Sequence, residues 1–235
     1  MQERRRTNAE RTHATRAALV ASARDLFVRA GYAATSTPQI AAAANVTRGA
    51  LYHHYADKQD LFRAVAEAEA EAVAREIEAC TAAPDPGKAA PERSDAPDAP
   101  DAPDAPDAPD ARAMLVEGAR AYLDAMGEPG RTRLLLVDAP AVLGPAEADA
   151  LDARHARRTL REGLGAALGA HPSGGSASHS PDEQRLDALT LLLSAAFDRA
   201  ALALDAGAAP GPVRAAVTEL VDRVCAPSPE PRPRS

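Results

Sequence analysis

Apolar positions recur at helical spacing through most of the chain. Leu19, Ala23, Leu26, Phe27 and Ala30 fall at i, i+4, i+7, i+8 and i+11, which predicts a first helix closed by Gly31. Leu61, Phe62, Val65, Ala66, Val73 and Ile77 form one stripe of a long helix that starts after Asp57 and runs to about residue 81. Leu115, Ala119, Tyr122, Leu123 and Met126 share a face of another helix, broken by Pro129-Gly130. A short apolar segment from Leu134 to Val137 then meets Pro140, Gly144 and Pro145. A single helix is expected over 146–170, with Leu160, Leu164, Ala167 and Leu168 inward and an arginine-rich first half; His171 opens a loop. The most apolar helix follows Pro181, with Leu189, Leu193, Ala196, Phe197, Ala200 and Leu204 on one side and Leu191, Leu192 and Ala195 on others. Hydrophobic nearly all round, it must be covered nearly all round, and Val213, Val217, Leu220, Val221 and Val224 make its partner.

Between the first and the long helix, residues 36–58 read as two short helices around a tight turn. Ser36 and Gln39 have the spacing of a capping box, and Pro38 sits in the first turn, where its missing N–H matters little. A helix therefore starts at about Thr37, with Ile40, Ala41 and Ala44 inward, and Asn45-Val46 ends it because asparagine tolerates the left-handed conformation of a tight turn. Thr47 caps a second helix that turns Leu51 and Tyr55 inward and leaves Arg48, Gly49, Ala50, Tyr52 and His53 facing out. An exposed face rich in donors and rings on so short a helix suits a nucleic-acid groove, although spacing alone equally allows a surface hairpin that meets only water.

With Gly31-Tyr32 upstream, Ile40-Ala41, Val46, Leu51-Tyr52, Tyr55 and Lys58 followed by Leu61, residues 12 to 65 resemble the DNA-binding domain of TetR-type transcriptional regulators. The resemblance implies an all-α protein with three domain-level parts: a three-helix head carrying a helix-turn-helix, a connecting fourth helix, and a helical ligand-binding and dimerisation domain. It implies that Thr37, Tyr52 and Lys58 contact phosphates, and that Thr47, Arg48, Gly49 and His53 lie at or near base edges. Asn45 stands where glycine is commonest, and Pro38 where some relatives carry a polar DNA-contacting side chain. The last two helices are expected to pack on their copies in a homodimer, with Leu193 and Val217 where the apolar helices meet.

The charge distribution bears on the partner. The chain of 235 residues carries a net −7, but residues 1–63 hold ten Lys or Arg against five Asp or Glu, and residues 64–235 seventeen against twenty-nine. A basic head suits a phosphate backbone and an acidic body keeps off it. Arg4, Arg5 and Arg6 lie in an arm, residues 1–11, that lacks apolar periodicity and is expected to be unstructured, either settling on DNA or acting as a solubilising tail.

Organisation follows from these shifts: a head at 12–56, a connecting helix at 57–81, a spacer at 82–111, a helical domain at 112–226 and a proline-rich tail at 227–235. The spacer contains five Asp-Ala-Pro triplets from Asp95 to Pro109, where recurring proline blocks helix and sheet, and an extended solvated connection is expected. Hydrophobic content of 46% supports a sizeable core, and the absence of tryptophan with abundant alanine favours helices. No apolar run approaches the roughly 18 residues of a membrane helix and the start is basic and polar, so a cytoplasmic chain without membrane contact is expected. Cys80 and Cys225 show no metal-ligand spacing.

No catalytic, metal or cofactor constellation is found; adjacent His53 and His54 diverge by about 100° on a helix. Two functions stay open: a dimeric repressor released from a palindromic operator on double-stranded DNA by a small-molecule effector, or a helical binding module or enzyme without operator binding. The sequence does not reveal the ligand; Tyr122, Met126, Asp138, His155 and Arg158 are plausible pocket residues, each also readable as core or surface.

Overall fold

The first helix starts earlier than its apolar stripe requires. In the computed structural model, which describes residues 8–82, 110–169 and 181–226, α1 spans Asn8–Ala34. Residues 8–11, expected in the unstructured arm, are helical because alanine, glutamate and arginine propagate a helix without burial. The remainder of that arm, the Asp-Ala-Pro repeat, the loop at His171 and the tail lie outside the described residues. Gly31 breaks the helical path as expected (φ 81°, ψ 161°), and one further turn reaches Ala34.

Helices α2 (Thr37–Ala43) and α3 (Arg48–His54) follow the sequence pattern closely. Gln39 Oε1 accepts from the Ser36 backbone N–H at 2.9 Å and from its hydroxyl at 2.7 Å. Asn45 takes φ 54° in the turn, and Thr47 Oγ1 accepts from Ala50 N at 3.1 Å. Leu51 and Tyr55 are buried with Leu19, Phe27 and Ile40.

The long helix α4 (Lys58–Thr81) belongs to both halves. Its first turns place Leu61, Phe62, Val65 and Ala66, all fully buried, in the head core. Its last turns place Val73 and Ile77 in a second core with residues of α5 (Ala111–Met126), α9 (Ala156–Ala167), α10 (Pro181–Asp205) and α11 (Pro210–Cys225). Between α5 and α9 the chain runs through α6 (Arg131–Arg133), a π-helical turn π1 (Leu134–Asp138), α7 (Ala139–Leu143) and α8 (Pro145–Arg154). The widening at π1 has a local cause. Pro140 cannot donate, its ring displaces the carbonyl four residues back, and Ala139 N–H reaches Leu134 O, five residues back. Leu134, Ala139 and Leu151 from this stretch join the head core rather than the body.

The helix expected over 146–170 is two helices. The break falls at His155 (φ −119°, ψ −101°), where the ring Nε2 lies 2.7 Å from Glu67 Oε1 and Arg154 Nη2 2.8 Å from Glu67 Oε2. An anchor on α4, 88 residues away, turns the chain at a point where the sequence alone reads as continuous helix.

A buried ionic cluster joins the halves. Glu69 of α4, 8% exposed, receives Arg24 Nε of α1 at 2.8 Å and Arg131 Nε of α6 at 3.0 Å. Arg131 also donates to Ala125 O at 2.6 Å and to Glu76 at 3.0 Å. Gly130 lets this turn approach α1: it sits at φ 78°, and a β-carbon there would lie 2.5 Å from Val28. Burial pushes the Glu69 carboxyl up, but Arg24 and Arg131 outweigh it and hold it below its ordinary 4.5. Because the folded value is depressed, the contribution is complete above the unfolded value and is lost as pH falls through the folded one. Glu69→Gln is therefore expected to lower stability by about 3 kcal/mol at neutral pH. In urea titrations the gap to wild type should close as pH drops below 4.5; a gap that persists unchanged into acid contradicts the ionic origin.

Candidate nucleic-acid interface and ligand cavities

The exposed face of α3 is built from its own cap and from α2. Thr47, Arg48, Gly49 and His53 are exposed and Tyr52 is 43% exposed. Thr37 Oγ1 and Tyr52 Oη lie 2.9 Å apart, tying α2 to α3 across the turn. That hydrogen bond, and then Arg48, lower the Tyr52 hydroxyl from its ordinary value. The Arg48 guanidinium lies 5.6 Å from the Tyr52 ring centroid, which holds the arginine over the outer surface of the helix. Six of the seven sequence-predicted contact residues thus share one surface.

Lys58 is the exception. It is half-buried, its Nζ donates to Tyr32 O at 2.9 Å and Thr35 O at 3.0 Å, and it lies 4.2 Å from the Tyr32 ring centroid. The lysine clamps the turn after α1 and keeps one N–H for another partner. At the start of α4, Asp57 Oδ1 accepts from Asp60 N at 2.7 Å, and Asp60 Oδ2 accepts from Ala56 N, just before the helix, at 3.0 Å. Two carboxylates there oppose an incoming phosphate.

Two cavities flank Tyr122 in the body. One, of about 280 Å³, is lined by Ile77, Thr81, Met114, Leu160 and Phe197 among others, and the other, of about 330 Å³, by Val73, Met126, Leu136, His155 and Asp198 among others. Tyr122 and Ala156 line both. Of the sequence-predicted pocket residues, Tyr122, Met126 and His155 line the second cavity; Asp138 and Arg158 line neither. Arg158 is exposed and bridges Glu78 (2.7 Å) and Glu162 (3.0 Å), two wall residues of the first cavity. Asp138 faces Arg133, whose Nε is 3.5 Å from Oδ2, too long for a hydrogen bond, and that buried oxygen has no hydrogen-bond partner among the described residues.

Sequence reasoning missed Asp198, Asp152 and Arg157. Tyr122 Oη donates to Asp198 Oδ1 at 2.5 Å. Asp152 Oδ2 accepts from Arg157 Nε at 2.8 Å and Ser194 Oγ at 3.1 Å. The missed signal for Asp198 is an acid inside Ala-Phe-Asp-Arg-Ala, on the helix that is otherwise most apolar. Burial pushes the Asp198 carboxyl up to about 6; the Tyr122 hydrogen bond of α5 opposes this, Asp152 of α8 adds to it, and Arg157 of α9 opposes it.

A folded value above the ordinary 3.8 means that the folded state holds the proton more tightly, so stability falls as pH rises from about 4 through about 6. Asp198→Asn keeps an acceptor for Tyr122 and removes the charge. The variant is expected to exceed wild type by about 1–3 kcal/mol in thermal unfolding well above pH 6. No difference should remain below pH 3.8, and a variant weaker than wild type at every pH refutes this origin.

Comparison with known proteins places the two halves separately. Residues 19–65 match the family described as bacterial regulatory proteins, tetR family, and residues 113–227 match the tetracyclin repressor-like C-terminal domain. The TetC protein of transposon Tn10 from Escherichia coli is 47% identical over 55 residues, 23% of this chain and 28% of TetC. The transcriptional repressor BepR of Brucella suis is 41% identical over 61 residues, 26% of this chain and 29% of BepR. These curated relatives therefore align over less than a third of their own length. A TetR-family transcriptional regulator from Pectobacterium atrosepticum superposes with a TM-score of 0.58 at 28% identity, covering 93% of this chain and 95% of that one. One from Streptomyces coelicolor superposes with a TM-score of 0.60 at 21% identity, covering 91% and 95%, a likeness of fold.

Proposed function

The chain belongs to the tetR family of bacterial regulatory proteins, and from that premise we propose that it is a homodimeric repressor that binds a palindromic DNA operator and is released by a small-molecule effector. One observation carries the reading: α4 is a single helix whose first turns are embedded in the head core and whose last turns wall both cavities through Val73 and Ile77. Glu67 of the same helix holds His155, itself a wall residue. An occupant that shifts the cavity wall shifts the head.

In this proposal Arg48 and His53 reach base edges, Thr47 and Gly49 bring the start of α3 close to the groove, and Thr37 and Tyr52 contact phosphates as a pair. Lys58 adds a phosphate contact through its remaining N–H while its other two hold the turn. No enzymatic step is assigned to the chain.

Dimerisation uses surfaces other than those expected. Leu193 (3% exposed) and Val217 (7%) are buried within their own protomer, because their sides of α10 and α11 pack on α5 and on each other. Leu191 (52%), Leu192 (66%) and Leu220 (37%) stand outward on the same helices. A second copy covers them in the proposed dimer, which sets two heads about 34–36 Å apart on adjacent major grooves. Leu192→Asp should then yield folded monomers in sedimentation velocity and abolish tight operator binding; a wild-type chain that sediments as a monomer at micromolar concentration rejects the dimer.

Selection from random duplexes followed by fluorescence anisotropy tests the proposal itself. A palindrome is expected, with affinity that falls steeply with salt. Arg48→Ala should lose about 1–3 kcal/mol at one base position in each half-site and relax specificity there. Uniform weakening on all sequences moves Arg48 to the phosphate class, and selection of no sequence at all removes the function.

A further inference from the structure

The second cavity has an unbalanced charge. Its wall holds three carboxylates, Asp149, Asp152 and Asp198, against one arginine, Arg157. Both Asp152 and Asp149 are served by that arginine, through Nε at 2.8 Å and Nη2 at 2.5 Å. His155 is turned to Glu67 at 2.7 Å. Asp198 is left with the neutral Tyr122 hydroxyl as its hydrogen-bond partner among the described residues, and no cation within ion-pair distance there. The rest of the wall is apolar, with aliphatic side chains from α4, α5, π1 and α10.

We infer that this cavity takes an amphipathic organic cation, whose ammonium group pairs with Asp198 while its apolar body lies on Val73, Met126, Leu135, Leu136 and Leu202. A carboxylate held in apolar surroundings with a single neutral donor is unfavourable until something supplies the opposite charge. Among the described residues the wall supplies none that is free, so the occupant must. The raised carboxyl of Asp198 is the signature of that deficit. An anionic occupant would face three carboxylates across one engaged arginine. A neutral donor would satisfy the hydrogen bond and leave the charge uncompensated.

The inference rests on the effector-controlled reading above, and the test separates the two. Biphenylmethylamine, biphenylmethanol and biphenylcarboxylate share one apolar body and differ only in charge. In isothermal titration of the full chain at neutral pH, the amine should bind at least about tenfold more tightly than the alcohol, and the carboxylate most weakly. Asp198→Asn should bring the amine to the level of the alcohol and leave the alcohol within about twofold. Thermal unfolding checks that the variant is folded, and the wild-type series decides without it. Equal binding of amine and alcohol, a preference for the carboxylate, binding of none of the three, or an amine preference that survives in Asp198→Asn each overturns the assignment. Operator affinity is measured with each probe in parallel. If the alcohol or the carboxylate binds and releases DNA, the effector reading stands and the cation falls. If the amine binds through Asp198 and leaves operator affinity unchanged, the cation stands and the effector role falls.

Discussion

Glu69 is the point on which the two halves of the molecule are hung. One buried carboxylate takes the Arg24 guanidinium of α1 on both oxygens and the Arg131 guanidinium of α6 on Oε2. An acid buried to this degree must be paired, and two arginines from different parts of the chain must converge on it or leave it stranded. Its contribution is positional as much as energetic. Hydrogen bonds from Arg131 to Ala125 O and from Arg24 to Pro129 O tie the turn after α5 to α1, and Gly130 brings that turn against Val28 with no room for a β-carbon. Apolar packing alone would let the head slide on the body; directional charge pairing at a single site sets the register.

The head was legible because its determinants are local. Capping by Ser36, Gln39 and Thr47, the left-handed Asn45 and the inward pair Leu51 and Tyr55 are set by residues within a few positions of one another. Three features that the sequence concealed depend on distant partners. The break at His155 comes from Glu67, the engagement of Lys58 from carbonyls of Tyr32 and Thr35, and the isolation of Asp198 from a tyrosine 76 residues earlier. Periodicity shows that a helix has a buried side, not which neighbour buries it. That is why Leu193 and Val217 read as a subunit interface and lie instead in the protomer core, while Leu191 and Leu192 stand outward. Family resemblance compensated in the head, where motifs are dense, and supplied no motif for the cavity lining.

In the proposed switch, the geometry of α4 is what lets a cavity remote from α3 govern it. A helix of 24 residues is about 36 Å long, and a tilt of about five degrees displaces one end relative to the other by about 3 Å, the scale of a hydrogen bond. Three contacts steer that lever within its first half: Gln59 to Val142 O at 2.7 Å, the Arg63 pair with Glu147, and Glu67 with Arg154 and His155. Each joins α4 to α7, α8 or the α8–α9 break, and α8 and the break also wall the cavity that holds Asp198. The Glu69 cluster, in contrast, joins α4 to α1 and α6. The first set therefore ties the first half of α4 to the stretch that walls the cavity, and the Glu69 cluster fixes α4 where head and body meet. An occupant need only prefer the tilted arrangement by a few kcal/mol to shift the population of heads with the correct spacing. Because the two heads of the proposed dimer must fit one duplex, the same small tilt would be felt in both half-sites at once, and a modest preference within the cavity would become a large change in occupancy on DNA.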